Sequence, residues 1–363
     1  MWDTLTERPL IASFIPQFSS EALSILFLIF GGCCTNVYSL EAIIRHNISN
    51  QPALGLTFVQ FLFTSVEGFA YFFRAQSKTF LKQPEVPRIQ WLGIAVIHFS
   101  ISILNNLSLD YQVSVPMHIV LRSGGGLVTL CVGTLFRNTY SRTKWMSVIV
   151  MTLGVLITTV GRAKDSMQDS VTGVLTIGVF LLLVMQILVA FMGITLEKVY
   201  KRSPRAWREG VFYTHFFALP FFLPLLPKIN AQLIGLASGV QLEVSMPRFS
   251  HNTLDLSTKL LLLVLNALTQ FLCVTGVNLL TSVSSALSVC IVLTIRKLVS
   301  LLISIWIFGT AVEASFIVGA ITVFGGAIAY AMDEWKLKKQ RTQGHAEVEV
   351  GVPLLNLSLG SRN

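Results

Sequence analysis

The chain has 363 residues, of which 53% are hydrophobic and 12% are charged, and its mean hydropathy is +0.68. Soluble domains carry about 25% charged residues, so this composition excludes the soluble classes and predicts a protein that crosses a bilayer several times. The formal net charge is +9, which would suggest nucleic acid in a soluble protein. Here cationic loops that set the orientation explain it, and we expect no nucleic-acid partner.

Ten apolar segments follow one another along the chain. A bilayer core of ~30 Å needs about 20 helical residues at ~1.5 Å per residue. The segments cover about residues 21–44, 53–73, 91–109, 115–136, 145–161, 171–197, 210–226, 260–280, 284–308 and 313–332. They predict an all-α membrane protein with ten transmembrane helices, the seventh broken by Pro220 and Pro224.

Lys and Arg are distributed unevenly between the loops on the two sides of the predicted bundle. The side that holds both termini carries 18 of them, and the other side carries 6. Because Lys and Arg concentrate in cytosolic loops, this asymmetry predicts a multi-pass protein with both termini in the cytosol. The remaining three cations, Arg122, Arg296 and Lys297, lie inside the apolar segments.

The placement of two of these cations suggests an internal repeat. Arg122 in the fourth segment and Arg296 in the ninth are 174 residues apart. Two halves of five helices enter the membrane from opposite faces, which favours the inverted repeat common in secondary transporters. The predicted units are a cytosolic N-terminal segment (1–20), a first five-helix half (21–164), a second five-helix half (165–335) and a cytosolic disordered tail (336–363). We interpret residues 227–259 as a long loop on the far side.

The two cations of the ninth segment need a negatively charged group to compensate them. A cation near mid-bilayer costs roughly 2.5–3.5 kcal/mol on insertion scales, and Arg296 and Lys297 are adjacent. The one clear carboxylate within the segments is Glu67. The surplus of positive charge favours an anionic ligand such as a pyrophosphate, held by charge-assisted hydrogen bonds. The alternative is that carboxylates on neighbouring helices neutralise the cations.

Polar side chains in other segments complete the predicted site. The candidate substrate-binding residues are Asn36, Gln60, Glu67, His118, Arg122, Tyr213, His215, Asn266, Gln270, Arg296, Lys297 and Ser300. Amides donate and accept, so they suit a nucleobase edge or sugar hydroxyls, and Tyr213 can stack on a base. Buried amides also hydrogen-bond helices to one another, the reading favoured for Asn105, Asn106 and Asn278. His98 is interpreted as a core histidine.

Several other classes of protein are not supported. The sequence shows no catalytic constellation and no metal-ligand spacing, so we expect neither an enzyme nor a cofactor. A channel would show pore helices or a repeated filter motif. The five cysteines, Cys33, Cys34, Cys131, Cys273 and Cys290, all fall in apolar segments. We interpret them as small packing residues rather than a disulfide framework.

Four stretches resemble the nucleotide-sugar transporters of the drug/metabolite transporter superfamily. They are GGCCTN at 31–36, PMHIVLRSG at 116–124, FYTH at 212–215 and LTIRKLVS at 293–300, and NALTQ at 266–270 also fits. The chain looks most like the subfamily B branch of solute carrier family 35 that carries UDP-N-acetylglucosamine and UDP-xylose. The resemblance spans all ten segments and leaves out the tail and residues 227–259.

The resemblance implies an antiporter that works by alternating access. It would carry UDP-N-acetylglucosamine, UDP-xylose or both from the cytosol to the Golgi or endoplasmic reticulum lumen in exchange for UMP. Substrate contacts of the family map to Tyr213, His215, Arg296 and Lys297. Related GDP-mannose transporters carry Asn where this chain has His215, which argues against guanine. No cofactor is implied.

Other readings stay open at this point. One is an adenine-nucleotide or sulfonucleotide exchanger of the same fold, because sister members share the Arg-Lys pair. A second, of another class, is a membrane scaffold or receptor that transports nothing. The resemblance implies the Golgi or the endoplasmic reticulum, and residues 359–363 (LGSRN) lack a terminal Lys-Lys pattern, which favours a Golgi membrane. A homodimer is left open.

Overall fold

The computed structural model describes residues 20–45, 53–74, 81–110, 122, 124–163, 172–238, 256–308 and 314–358. Within these ranges the backbone is helical apart from short connections. Pairing of strand type is limited there to one isolated antiparallel bridge between Phe73 and Leu81. The prediction of an all-α protein is therefore confirmed for the described part of the chain.

We number the α-helices in chain order. They are α1 (Ser20–Phe27), α2 (Cys33–Arg45), α3 (Ala53–Phe72), α4 (Arg88–Asp110), α5 (Gly125–Leu135), α6 (Arg142–Ala163), α7 (Thr172–Arg202), α8 (Trp207–Phe216), α9 (Leu226–Ser238), α10 (Leu256–Val283), α11 (Ala286–Phe308) and α12 (Ala314–Ser358). A π-helical turn, Leu28–Gly32, joins α1 to α2 without a break, and 3₁₀ turns precede and follow α8.

Seven stretches of the described chain are apolar and long enough to cross a membrane. They are Leu23–Leu40, Ala53–Phe72, Arg88–Ser108, Ile177–Arg202, Pro204–Leu236, Leu260–Val283 and Ala314–Leu337. They support a multi-pass membrane protein. Helix α5 is a shorter apolar helix of 11 residues, and most of the fourth predicted segment before it lies outside the described residues. Ten crossing helices and an inverted repeat go beyond these seven stretches and stay predictions.

The two prolines interrupt the seventh segment as predicted. Helix α8 ends at Phe216, and a 3₁₀ turn, Leu219–Leu225, carries both Pro220 and Pro224 before α9 begins. A proline lacks the N–H that an α-helix needs and disfavours helical dihedrals in the residue before it. The chain therefore resumes as a separate helix rather than continuing α8.

The loop predicted at 227–259 is wrong at its start, because α9 is helical to Ser238. Its apolar side chains Ile229, Leu233 and Leu236 are spaced for one helix face, and Ile229 packs against Leu54 of α3. The spacing at i, i+4 and i+7 was a helical signal. Residues 239–255 lie outside the described chain.

The tail also differs from the prediction of disorder. Helix α12 continues to Ser358, well past the apolar stretch that ends at Leu337. Extending an existing helix avoids the cost of nucleating a new one. The residues just beyond the apolar stretch, Lys338 to Arg341, are also good helix formers. Whether this end lies in the cytosol stays a prediction.

The closest helix packing depends on glycines. Helices α6 and α12 meet so closely that a Cβ at Gly154 would lie 2.9 Å from the carbonyl oxygen of Gly319. Helix α10 meets the π-helical turn in the same way, since a Cβ at Gly32 would lie 3.0 Å from the backbone nitrogen of Cys273. Small residues at membrane helix interfaces permit this approach.

A disulfide joins Cys33 of α2 to Cys273 of α10, with 4.6 Å between the Cα atoms. The interpretation of these two cysteines as packing residues is therefore wrong. They are 240 residues apart in the chain, and the close approach of α10 to the π-helical turn brings them together. Cys34, Cys131 and Cys290 are free thiols.

Two buried carboxylates tie helix ends together. Glu197 near the end of α7 accepts hydrogen bonds from the backbone N–H of Ala286 at 2.8 Å and from Lys201 Nζ at 2.5 Å. Glu209 in α8 accepts from the backbone N–H of Glu85 at 2.8 Å and from Trp91 Nε1 at 3.4 Å. The first residues of a helix lack intrahelical partners for their N–H groups, so Glu197 stabilises the start of α11.

Candidate anion-binding site

Helix α11 carries two cations at its centre. Arg296 and Lys297 are the eleventh and twelfth of its 23 residues, so each lies roughly 16 Å along the axis from the nearer end. Both side chains are partly exposed. Apolar residues surround the pair in the sequence, which makes the helix itself stable in a membrane and leaves only the two charges to be compensated.

The structure brings Arg122 to the same place. Lys297 Nζ donates a hydrogen bond to the backbone carbonyl oxygen of Arg122 at 3.4 Å. The charge of Arg122 acts on both Arg296 and Lys297, and the Arg122 side chain is exposed. We call these three residues the cation cluster.

The cation cluster has no carboxylate partner in the described part of the chain. The ion pairs found there are Lys144–Glu334 and Lys201–Glu197, and neither includes a member of the cluster. The alternative reading, neutralisation by neighbouring carboxylates, therefore finds no support among the described residues. Like charges that act on one another, as these do, repel, and a bound anion would relieve that repulsion.

Helix α7 supports the cluster through Gln186. Its side chain is 5% exposed, and its Nε2 donates to the carbonyl oxygen of Arg122 at 3.2 Å. A Cβ at Gly125 would lie 2.9 Å from this Nε2, so a glycine at the start of α5 leaves room for the amide. The sequence analysis missed Gln186, although it is a lone amide in the middle of a long apolar segment.

Two thiols also flank the cluster and were not singled out. Cys34 lies beside Arg296, and Ser300 Oγ donates to Cys34 Sγ at 2.9 Å. Cys290 lies near Lys297 and forms a hydrogen bond with Thr129. Ser300, which the sequence analysis named, therefore reaches the cluster through Cys34.

Three of the predicted amides form a second polar group that connects α2, α3 and α10. Gln60 Nε2 donates to Asn266 Oδ1 at 2.7 Å, and Asn36 Nδ2 donates to the carbonyl oxygen of Asn266 at 2.9 Å. Asn266 in turn donates to Ser39 Oγ at 3.0 Å. Their mutual pairing agrees with the role of helix-bonding amides. Gln270 lies one turn further along α10 and is partly exposed.

Tyr213 and His215 lie in aromatic clusters instead of beside the cations. Tyr213 is 1% exposed and stacks on Phe217 with ring centroids 5.2 Å apart. His215 is 3% exposed, its Nδ1 is 2.7 Å from the carbonyl oxygen of Val211, and its ring lies 4.7 Å from Phe61. His98 packs against His215 at 4.8 Å, in agreement with its interpretation as a core residue.

The short helix α8 explains this burial. Every residue from Glu209 to His215 is buried, because α8 is packed by α3, α4 and α10. Tyr213, Thr214 and His215 therefore leave little surface for a ligand in this conformation. Tyr213 and His215 therefore contact other protein groups here.

Glu67 is also separate from the cation cluster. It is exposed on α3, and the cation that acts on it is Arg208 at the start of α8. The cation that acts on Glu67 is therefore none of the three members of the cation cluster. His118 lies outside the described residues.

An all-helical fold with several membrane-spanning stretches and an uncompensated cation cluster defines a membrane protein suited to hold an anion. Residues 21–334 match the model of the UAA transporter family, and the chain belongs to this family. The match covers all of the helices that position the cluster.

Named relatives agree with this assignment. The chain is 40% identical over 321 residues to the UDP-N-acetylglucosamine transporter yea4 of Schizosaccharomyces pombe, which covers 87% of this chain and 96% of the relative. It is 31% identical to the UDP-xylose and UDP-N-acetylglucosamine transporter of Danio rerio (84% and 91%) and 32% identical to the endoplasmic reticulum GDP-fucose transporter of Drosophila melanogaster (86% and 90%).

A solved crystal structure shares the fold. It superimposes with a TM-score of 0.58 over 87% of this chain and 99% of its own, at 11% sequence identity. At this identity the likeness concerns the course of the backbone alone. It supports the helical arrangement described above and carries nothing about the ligand.

Proposed function

We propose that the protein is an antiporter that carries UDP-N-acetylglucosamine, UDP-xylose or both from the cytosol into the lumen in exchange for UMP. The observation that carries this proposal is the cation cluster, which has no carboxylate partner among the described residues. The relatives named for UDP-N-acetylglucosamine and UDP-xylose support the choice of substrate.

The charges of the two ligands suit one site. The pyrophosphate of a UDP-sugar carries about two negative charges, and the phosphate of UMP carries about 1.5 to 2 at neutral pH. Arg122, Arg296 and Lys297 offer planar guanidinium donors and one ammonium point charge to the phosphate oxygens. Either ligand compensates a similar share of the cluster, so one can replace the other without a large electrostatic change.

Exchange instead of one-way transport follows from the empty site. With no anion bound, three cations would have to pass through a changing, partly apolar environment, which is costly. The loaded site is largely neutralised and reorients more readily. We infer alternating access between two inverted halves of five helices each, with both termini in the cytosol.

We propose that polar side chains outside the cation cluster recognise the base and the sugar of the substrate. Gln60 and Gln270, which are partly exposed, and His118 are proposed to line the site, with Asn36 and Asn266 holding its wall. Tyr213 and His215 keep their proposed role only if α8 moves, because both are buried here. We propose a Golgi membrane, with the endoplasmic reticulum as the alternative.

Counterflow uptake tests the proposal. Purified protein is reconstituted in liposomes preloaded with UMP, GMP or AMP, and labelled UDP-N-acetylglucosamine or UDP-xylose is offered outside. We expect rapid uptake with UMP inside and little with GMP or AMP. The GMP arm is included because one relative is named a GDP-fucose transporter.

Each other outcome points to a different function. Uptake of labelled GDP-fucose with GMP inside would move the protein to guanine nucleotides. Uptake of labelled ATP or of the sulfonucleotide 3′-phosphoadenosine 5′-phosphosulfate with AMP inside would support the adenine or sulfonucleotide alternative. No uptake of any nucleotide, together with no thermal stabilisation by any of them, would favour a scaffold or receptor.

A further inference from the structure

A cleft lies between α3, α8 and α10, away from the cation cluster. It is small and open to the outside, and charged, hydroxyl-bearing and aromatic side chains line it. The residues that matter below are Glu67, Tyr71, Trp207, Arg208, Phe271 and Thr275. None of them contributes to the contacts of Arg122, Arg296 or Lys297 described above.

The cleft lies close to the ends of two helices. Glu67 is five residues before Phe72, the last residue of α3, which is about 7.5 Å along the axis. Arg208 is the second residue of α8, and Trp207 is the first. Tyrosine and tryptophan concentrate at the level of lipid headgroups, so Tyr71 and Trp207 mark the depth of the cleft.

Neighbouring side chains show that the cleft faces lipid. Val66 is next to Glu67 on α3 and is 60% exposed, and Leu268 of α10, three residues before Phe271 and on the same face of the helix, is 41% exposed. On a membrane-spanning helix, large exposed apolar side chains contact acyl chains. Glu67 and Arg208 are exposed as well, so both charges are accessible from the lipid side.

The two charges of the cleft do not neutralise each other directly. Arg208 acts electrostatically on Glu67, but the ion pairs of the described chain do not include them. The guanidinium instead lies over the Tyr71 ring at 4.2 Å and 5.3 Å from the Trp207 ring. Thr275 Oγ1 is buried on the cleft wall and has no hydrogen-bond partner among the described residues.

We propose that this cleft binds the zwitterionic headgroup of a phospholipid, with the phosphate at Arg208 and Thr275 and the ammonium group at Glu67. The separated opposite charges match the two charges of phosphatidylcholine or phosphatidylethanolamine. Acyl chains lie along Val66 and Leu268. A nucleotide sugar does not suit the cleft, because Glu67 opposes its phosphates and the cleft has one cation to meet two negative charges.

The test is a lipid titration of the detergent-purified full-length protein, read by native mass spectrometry. Dioleoyl phosphatidylcholine, phosphatidylethanolamine and phosphatidylglycerol are added separately after delipidation. We expect one tight site for the two zwitterionic lipids and weaker binding of the anionic one. Arg208→Gln should weaken the zwitterionic lipids about tenfold, the usual scale for one charge-assisted contact. Arg205→Gln, an exposed neighbour outside the cleft, is the matched control.

Two further variants identify the chemistry. Glu67→Gln should remove the preference for phosphatidylcholine over phosphatidylglycerol, because it removes the group that reads the ammonium. Thr275→Val keeps the side-chain shape and should weaken all phospholipids about threefold, which preserves the test if Arg208→Gln fails to fold.

Three results would overturn the proposal. One is equal binding of phosphatidylglycerol and phosphatidylcholine to the unmodified protein. Another is equal loss of lipid in Arg208→Gln and Arg205→Gln. The third is displacement of the bound lipid by UDP-N-acetylglucosamine, which would make the cleft part of the transport route. The counterflow experiment is independent of all three.

Discussion

The cation cluster and the helix-end carboxylates handle buried charge in opposite ways. Glu197 is 7% exposed, and both of its oxygens accept hydrogen bonds, from the backbone N–H of Ala286 and from Lys201. Arg296 and Lys297 are more exposed, and Arg296 Nε has no hydrogen-bond partner among the described residues. The carboxylate of Glu197 therefore has its partners within the protein, whereas the cation cluster has no carboxylate partner among the described residues.

The difference separates structural from functional charge. A buried carboxylate that is fully hydrogen-bonded can stabilise a helix start, whereas leaving it unpaired would cost several kcal/mol. A cluster of unpaired cations gains nothing for the fold. Under the proposed function, a ligand that is present part of the time compensates the cluster, which is the condition a transporter site must meet.

The largest expected effect is at the centre of the cluster. Lys297→Ala should abolish UDP-N-acetylglucosamine exchange, because it removes the single ammonium that contacts both the Arg122 carbonyl oxygen and the proposed phosphate. Folding should be little affected, since removal of a repelling charge relieves the neighbours. Counterflow uptake and thermal unfolding measure the two effects.

Lys336→Ala is the matched control, because Lys336 is an exposed lysine on α12 outside the cluster. It should transport normally. If Lys297→Ala also transported at the normal rate, the cation cluster would not be the substrate site.

At the helix-end carboxylates we expect the opposite of Lys297→Ala: substitution should lower stability rather than abolish transport directly. Glu197→Ala leaves the N–H of Ala286 and Lys201 without their acceptor, and should lower the free energy of unfolding by about 1–3 kcal/mol. Glu197→Gln keeps an acceptor oxygen for Ala286 and should lose less. Thermal unfolding in detergent compares the two, and an equal loss in both would mean that the charge matters and the helix-start contact does not.

A smaller effect is expected at Gln186, a buried side chain that supports the cation cluster. Gln186→Leu removes the neutral donor to the Arg122 carbonyl, so the apparent KM for the UDP-sugar should rise about three- to tenfold, the scale of one neutral hydrogen bond. Transport kinetics in liposomes provide the measurement. A lower melting temperature with an unchanged KM would instead make Gln186 purely structural.

The smallest effect is expected for a partly exposed ion pair. Lys144 and Glu334 lie 2.7 Å apart, and their side chains are 13% and 38% exposed. Such pairs contribute about 0–1 kcal/mol, so Lys144→Met should change the unfolding temperature by little, and less in high salt than in low salt. If Lys144→Met lowered the stability as much as Glu197→Ala does, the exposure of a charged group would not predict its contribution to stability.

Properties that depend on the chain alone were predictable. The all-α class and the central position of Arg296 and Lys297 in α11 follow from apolar runs and from charges placed within them. The interruption at Pro220 follows from the covalent structure of proline. The grouping of Arg122 with the α11 pair was also anticipated, because an uncompensated cation is rare enough in a membrane to be noticed in a sequence.

Properties that depend on how helices are rotated against one another were not predictable. Nothing in the sequence places Cys33 beside Cys273, directs Gln186 to the Arg122 carbonyl or turns Glu67 toward Arg208. The burial of Tyr213 has the same origin, since it depends on how many helices surround the short α8. A one-dimensional pattern records which residues are polar and leaves open which neighbour each one meets.

The Cys33–Cys273 bond has a geometric consequence for any motion of the bundle. It fastens α2 to α10 beside the place where Gly32 already brings the two backbones into contact. The covalent bond prevents the two helices from sliding or separating at that point. A rearrangement that moves α2 relative to α10 must therefore turn about this fixed contact.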